Sequence, residues 1–123
     1  MSSKVLFVVF SEEPCRRNHA FRYALDLHRK GHAPRIILEG AATGSLRELT
    51  DPSSDFASLF LEAERLGLIA GACRAASHGC RSEDESRNVV RIAESRGIAL
   101  LDEADGHASL EPFVREGYQV VVF

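Results

Sequence analysis

The sequence has no tryptophan, one methionine and three cysteines among its 123 residues. It also lacks any apolar run of about 18 residues, the length that a membrane-spanning helix needs. The apolar segment Val5–Phe10 is shorter and ends without a small-residue cleavage site, so we interpret it as a buried strand and not as a signal peptide. Because the number of cysteines is odd and no secretion signal is recognised, we expect reduced thiols and a cytoplasmic protein.

The sequence also lacks an excess of basic residues. Its net charge is -3 and its pI is about 5.9, so we expect neither nucleic acid nor a membrane surface as a partner. Hydrophobic residues make up 45% and charged residues 27% of the chain, a composition typical of folded domains. No internal repeat or low-complexity linker divides it. We therefore expect one domain that spans residues 1–123.

Apolar segments of two kinds alternate along the chain. Continuous apolar runs predict strands covered on both faces, over residues 5–10, 34–38, 68–73, 98–101 and 118–123. Helical spacing predicts helices over residues 17–30, 56–66 and 82–97, a short helix from Ser45 and a last helix from Ser109. Ser45 and Ser82 each begin a capping-box pattern. Residues 40–54 and 74–82 are the least regular and are interpreted as loops.

Strands that alternate with helices are typical of an α/β fold. We predict a three-layer α/β/α domain with a mostly parallel five-stranded sheet, in which the order of the strands stays open. Ligands of such sheets bind beyond the carboxyl ends of the strands. The candidate residues at those ends include all three cysteines and three histidines: Cys15, Asn18, His19, Glu39, Cys73, Arg74, His78, Cys80 and His107.

Cys73 is the strongest candidate for a reactive residue. A cysteine becomes nucleophilic as a thiolate, which a nearby cation or helix N-terminus stabilises. Arg74, His78 and Arg81 follow Cys73, and a helix start is predicted near Ser82. The alternative is that Cys73 is a small core residue, since free cysteines are among the most buried residue types.

The other candidates each have a plain structural alternative. Cys15, followed by two arginines and His19, is either a reactive thiol or a thiol in an exposed loop. Glu39 is either a buried acid or a helix cap, and His107 follows a turn sequence and is most often a turn residue in such a place. Cys80 is expected to be an exposed spectator.

No sequence motif for a cofactor is present. The chain has no CxxC pair, no phosphate-binding loop, no GxGxxG sequence and no GxSxG elbow. Zinc ligands could come from the cysteines and histidines only through the tertiary structure. We therefore expect no metal and no organic cofactor.

The segment from Gly71 to Ala76, followed by the acidic residues 83–85, resembles the active-cysteine region of the DsrE-like sulfur-relay family. Shorter stretches elsewhere are similar to small stand-alone members of that family: residues 18–20, 27–32, 37–41, 106–109 and 116–118. Each stretch is short, but together they extend over nearly the whole chain. The resemblance is to a family and not to one protein.

The resemblance implies a three-layer fold, assembly into homo-trimers or hexamers, and donor and acceptor proteins as partners. It also implies that Cys73 accepts sulfane sulfur as a persulfide and passes it on, without a cofactor. Cys80 is not part of the family pattern and could resolve a persulfide or do nothing. Two alternatives stay open: a non-catalytic module that binds a small ligand or a metal through the same cysteine and histidine rim, and an assembly subunit whose Cys73 is merely packed.

Overall fold

A computed structural model describes residues 2–80 and 82–123. The strands are β1 (Lys4–Val9), β2 (Ala33–Leu38), β3 (Ile69–Cys73), β4 (Leu100–Leu101) and β5 (Gln119–Val122). The α-helices are α1 (Pro14–Arg29), α2 (Asp55–Arg65), α3 (Arg74–Gly79), α4 (Val89–Arg96) and α5 (Glu111–Arg115). Two 3₁₀ helices, Gly40–Thr50 and Glu85–Arg87, complete the described elements.

The strands form one parallel sheet in the order β4-β3-β2-β1-β5. The predicted α/β class and the five-stranded parallel sheet are thereby confirmed. The strand order, which the sequence left open, places β2, β3 and β4 side by side. The last residue of β3, Cys73, pairs with Leu101 of β4.

The two faces of the sheet carry cores of different size. The larger core packs Phe7 and Ile36 against α1, α2 and α4, with the rings of Phe21, Phe56 and Phe60 in contact. The smaller core is built on Leu6, Val8 and Ile37, which pack against half-buried residues from the segment 101–120. The chain is thus a three-layer α/β/α domain with one thin outer layer. Within the described part of the chain, no helix combines the length and the apolar character needed to cross a membrane.

A buried arginine joins three elements of the thicker layer. Arg17, which is 4% exposed, pairs with Glu48 at 2.7 Å and donates a hydrogen bond to Ser45 at 3.0 Å. Its guanidinium also lies 4.4 Å from the ring centroid of Phe56. Buried charges require such partners, because an unpaired guanidinium would lose its hydration without compensation. This contact network anchors the 3₁₀ helix Gly40–Thr50 between α1 and α2.

The predicted loops were wrong over residues 40–50 and 74–79, and both capping boxes were wrong. Residues 40–50 form a 3₁₀ helix that begins five residues before Ser45 and is capped by Glu39, while Ser45 accepts from Arg17 inside it. Cys73 leads directly into α3. The Ser82 hydroxyl accepts from the Asp84 N–H in a local turn, so the helix predicted from residue 82 starts only at residue 89. Small residues predominate in both segments, so larger apolar positions such as Leu46 and Leu49 are too few to indicate a helix that begins at residue 40.

Gly71 allows β4 to approach β3 closely. Its φ is +153°, and a Cβ atom added there would lie 2.5 Å from the carbonyl oxygen of Ala99 and 2.9 Å from Cγ of Leu101. The N–H of Ala72 donates to that same Ala99 oxygen at 2.9 Å. A side chain on residue 71 would therefore push β4 away from the end of β3.

Replacing Gly71 with alanine should destabilise the fold by about 2–4 kcal/mol, because the new methyl group meets backbone and the φ is unfavourable. Gly79→Ala is the matched control, since a Cβ there meets no atom within 4 Å. It should change stability by at most about 0.5 kcal/mol. Urea unfolding curves measure both values, and equal curves for the two variants would contradict the close approach.

Candidate functional site

Three side chains with chemical potential meet at the carboxyl ends of β2, β3 and β4. Glu39 directly follows β2, Cys73 is the last residue of β3, and His107 lies in a turn beyond β4. Because these strands are neighbours, one ligand-type atom from each side chain lies within 4.8 Å of the others. We call this set the strand-end cluster. It is the place in a parallel sheet where binding sites form.

Backbone contacts hold the cluster in position. The N–H of Glu39 donates to Val9 at 2.8 Å, and the Glu39 carboxylate accepts from the N–H of Gly40 at 2.9 Å. The turn that carries His107 is closed by two backbone hydrogen bonds between Ala104 and His107. The bond to Val9 holds Glu39 against the sheet, and the two bonds within the turn fix the backbone that presents His107.

The His107 turn is also tied to α3. The N–H of Ala75 donates to the carbonyl of Gly106 at 2.9 Å. The guanidinium of Arg74 donates to the carboxylate of Asp102 at 3.1 Å, and this ion pair is half-exposed. An exposed pair of this kind contributes little energy, but it links the two segments that flank Cys73.

The thiol of Cys73 is buried among polar partners. The residue is 0% exposed, its Sγ accepts from the N–H of Ala76 at 3.5 Å, and Nδ1 of His107 lies 3.5 Å away. Burial raises the pKa of the Cys73 thiol above its ordinary value, and the Glu39 carboxyl raises it further. The N–H groups of Ala76 and Ala108 act in the opposite direction on that pKa. The resting group at neutral pH is therefore a thiol.

The side chains that were expected to stabilise a Cys73 thiolate have other positions in the structure. Arg74 donates to Asp102, and His78 lies exposed in the last turn of α3. The helix start near Ser82 was a wrong prediction, because the helix behind Cys73 begins at once and supplies the N–H of Ala76. Arg81 lies outside the described residues. Backbone N–H groups thus have the role that was expected of the side chains, stabilisation of the Cys73 thiolate. Such groups cannot be recognised in a sequence, because every residue type except proline has one.

Cys15 and His19 form a separate pair. Their Sγ and Nδ1 atoms lie 3.6 Å apart on the first turns of α1, and Nδ1 of His19 is 2.8 Å from the carbonyl oxygen of Cys15. Both residues line a hollow together with Val121 and Val122 at the end of β5 and the following Phe123. Since β1 and β2 lie between β5 and β3, this hollow and the strand-end cluster occupy different stretches of the sheet edge.

Asn18 and Cys80 both contact residues of the thicker layer. Asn18 accepts a hydrogen bond from Nε of the buried Arg17 at 3.0 Å. Cys80 was expected to be exposed, but it is half-buried, packs against the larger core and places its Sγ 3.2 Å from Oγ1 of Thr43. Cys80 lies seven positions after Cys73, and helix α3 connects the two residues. The helical rise separates their Cα atoms by about 10 Å, which is more than a disulfide allows.

The chain matches no protein-family model, and no curated protein or solved structure shows significant similarity to it. The resemblance of residues 71–76 to the DsrE-like family therefore stays a prediction from the sequence. Inferences about function therefore start from the fold and the strand-end cluster.

We expect Glu39→Gln to lower the pKa of the Cys73 thiol, because a neutral amide removes the adjacent negative charge. Thiolate absorbance in the ultraviolet, followed against pH, measures this change in a background without Cys15 and Cys80. Glu103→Gln removes an exposed carboxylate of the segment after β4 and should leave the titration unchanged. An unshifted curve in the Glu39 variant would contradict the assigned contact.

Proposed function

We propose that the chain is a cytoplasmic sulfur-relay protein that carries sulfane sulfur as a persulfide on Cys73 and passes it to a partner thiol. One observation carries the proposal. In the described chain, Cys73 is the only thiol where the ends of β2, β3 and β4 meet. Its sulfur atom is surrounded by the N–H of Ala76, the imidazole of His107 and the carboxylate of Glu39. The resemblance of the surrounding sequence to the DsrE-like family points to the same residue.

The proposed reaction needs no external oxidant. The thiolate of Cys73 attacks the outer sulfur of a donor persulfide, R–S–SH, and the donor's S–S bond breaks. The donor leaves as a thiolate, which takes up the proton that Cys73 lost, so the products are Cys73–S–SH and R–SH. Transfer to an acceptor thiol repeats the same exchange in reverse.

The neighbours of Cys73 have distinct roles in this exchange. His107 Nδ1, at 3.5 Å from the sulfur, receives the thiol proton. The N–H groups of Ala76 and Ala108 then face a charged sulfur and stabilise it. The Glu39 carboxylate opposes that charge, and so it keeps the thiol protonated until His107 accepts the proton.

Access to the sulfur requires a local movement. Cys73 is fully buried, whereas His107 is exposed. The turn of residues 104–107 therefore has to shift before a donor sulfur reaches the thiol. The Arg74–Asp102 ion pair links this segment to α3, but it is half-exposed and contributes little energy, so it is compatible with such a shift.

The surface beside β5 supports assembly into a homo-oligomer, of the trimeric or hexameric kind that the resemblance implies. Strand β5 is an edge of the sheet, and Val121 and Val122 on it are 39% and 60% exposed. Tyr23, 51% exposed, stacks near the ring of Phe123 at 5.9 Å and extends the apolar surface. Unpaired strand edges with apolar side chains favour pairing with another chain.

Intact-mass analysis after incubation with a low-molecular-weight persulfide tests the sulfur proposal. We expect the reduced wild type to gain the mass of one sulfur atom, and Cys73→Ser to gain none. Cys15→Ser and Cys80→Ser are the matched controls and should load as the wild type does. His107→Gln should load more slowly, by about 10²-fold if the imidazole is the proton acceptor.

Two results would contradict the proposal in different ways. Loading that persists in Cys73→Ser and disappears with Cys15 or Cys80 would move the carrier to another thiol. Absence of loading in the folded wild type would refute sulfur transfer by this chain.

Light scattering coupled to size-exclusion chromatography tests the assembly. We expect the wild type to be larger than 13.5 kDa, the mass of one chain, and Val122→Glu to shift toward that mass. Leu61→Glu, which changes a 41% exposed residue on α2, is the control and should keep the wild-type mass. A wild type that elutes as a single chain would refute the assembly.

A further inference from the structure

We infer that Glu39, Cys73 and His107 form a binding site for a thiophilic divalent cation, with Zn²⁺ as the best fit. The inference does not depend on sulfur transfer, although both would use the same sulfur atom. Among the described residues, this is the only group of three such side chains whose ligand atoms lie within mutual reach.

The spacing of the donor atoms suits a tetrahedral ion. With Zn–S near 2.3 Å and Zn–N near 2.0–2.1 Å, tetrahedral angles place sulfur and nitrogen ligands about 3.5 Å apart. Sγ of Cys73 and Nδ1 of His107 are 3.5 Å apart. The Glu39 oxygen lies within 4.8 Å of both atoms, so a carboxylate shift of about 1 Å completes a three-ligand set.

The chemistry of the donors selects the class of ion. A thiolate and an imidazole are poor ligands for Mg²⁺ and Ca²⁺, which prefer oxygen. One sulfur, one nitrogen and one carboxylate oxygen suit Zn²⁺ and Co²⁺. Three protein ligands leave a fourth position for water or another small ligand, as in zinc sites that are open to solvent.

The surrounding hydrogen bonds are those expected of groups that orient metal ligands. The N–H of Gly40 holds the Glu39 carboxylate, and the N–H of Ala76 donates to the Cys73 sulfur. Such outer contacts orient ligands and tune their basicity. The Cys15–His19 pair has a similar sulfur–nitrogen distance, 3.6 Å, but belongs to no three-ligand group in the described chain. It is therefore an internal control.

Metal binding and sulfur loading should exclude each other. Binding replaces the thiol proton with the metal, so that Cys73–SH and Zn²⁺ give a Cys73–S–Zn bond and a released proton. The sulfur lone pair that would attack a donor persulfide is then engaged in that bond. Bound Zn²⁺ should consequently slow persulfide loading of Cys73, and a chelator should restore it.

The test uses the metal ions alone, without a sulfur donor. Zn²⁺ is titrated against a chromophoric chelator, and Co²⁺ is added to separate samples to record the thiolate-to-cobalt charge-transfer band. We expect one ion per chain and a charge-transfer band that is absent in Cys73→Ser. Glu39→Gln and His107→Gln should each weaken binding at least about tenfold. Cys15→Ser and His19→Gln should bind as the wild type does.

Several results would overturn the inference. The first is a wild type that competes with the chelator for Zn²⁺ no better than Cys73→Ser does. The second is a cobalt charge-transfer band that is lost in Cys15→Ser and kept in Cys73→Ser. The third is unchanged metal affinity in both Glu39→Gln and His107→Gln. His107 is exposed, so its variant keeps the test valid even where Cys73→Ser fails to fold. Since no persulfide is present, failure here leaves the sulfur proposal intact. A protein that binds Zn²⁺ but loads no sulfur would refute only the sulfur proposal.

Discussion

The close approach of β4 to β3 at Gly71 is the constraint on which the rest of the site depends. A Cβ atom at this position would collide with the backbone of Ala99, so only glycine lets the short strand β4 lie against β3. That contact aligns Leu101 with Cys73 and brings the turn beyond β4 over the end of β3. Together with the hydrogen bond from the N–H of Ala75 to Gly106, it fixes the position of His107 relative to the cysteine.

The environment of Cys73 balances opposing effects on one sulfur atom. Burial and the Glu39 carboxyl favour the neutral thiol, while two backbone N–H groups favour the thiolate. Because the raised pKa favours the neutral thiol, both proposals require a group that takes up or replaces its proton. His107 can act in the first case as an acceptor and in the second as a ligand. The same geometry therefore supports both proposals, the carrier thiol and the cation site.

Much of the fold could be predicted because its causes are local. Continuous apolar runs such as Val5–Val9 indicate strands covered on both faces, and the stripe from Phe56 to Ala63 indicates α2. The 3₁₀ helix Gly40–Thr50 and helix α3 could not be predicted in this way. Small residues predominate in both, so larger apolar positions are few, and Glu39 and Cys73 cap the two segments from outside them.

The candidate site was only partly predictable for a different reason. That Glu39, Cys73 and His107 follow strands is visible in the sequence, and so is the same property of Cys15. Which of them meet depends on strand order, and strand order is a property of the assembled sheet. Cys15 follows β1 and turns toward β5, whereas the other three groups lie at β2, β3 and β4. The N–H donors to the Cys73 sulfur belong to alanines and have no signature at all.

The central claim is that the sulfur of Cys73, between Glu39 and His107, is the chemically active atom of the protein. The most direct measurement is a crystal structure determined after treatment with a persulfide donor, compared with that of the untreated protein. We expect electron density for one additional sulfur atom bonded to Sγ of Cys73, with the turn of residues 104–107 displaced. Additional sulfur on Cys15 or Cys80, with Cys73 unmodified and still buried, would contradict it.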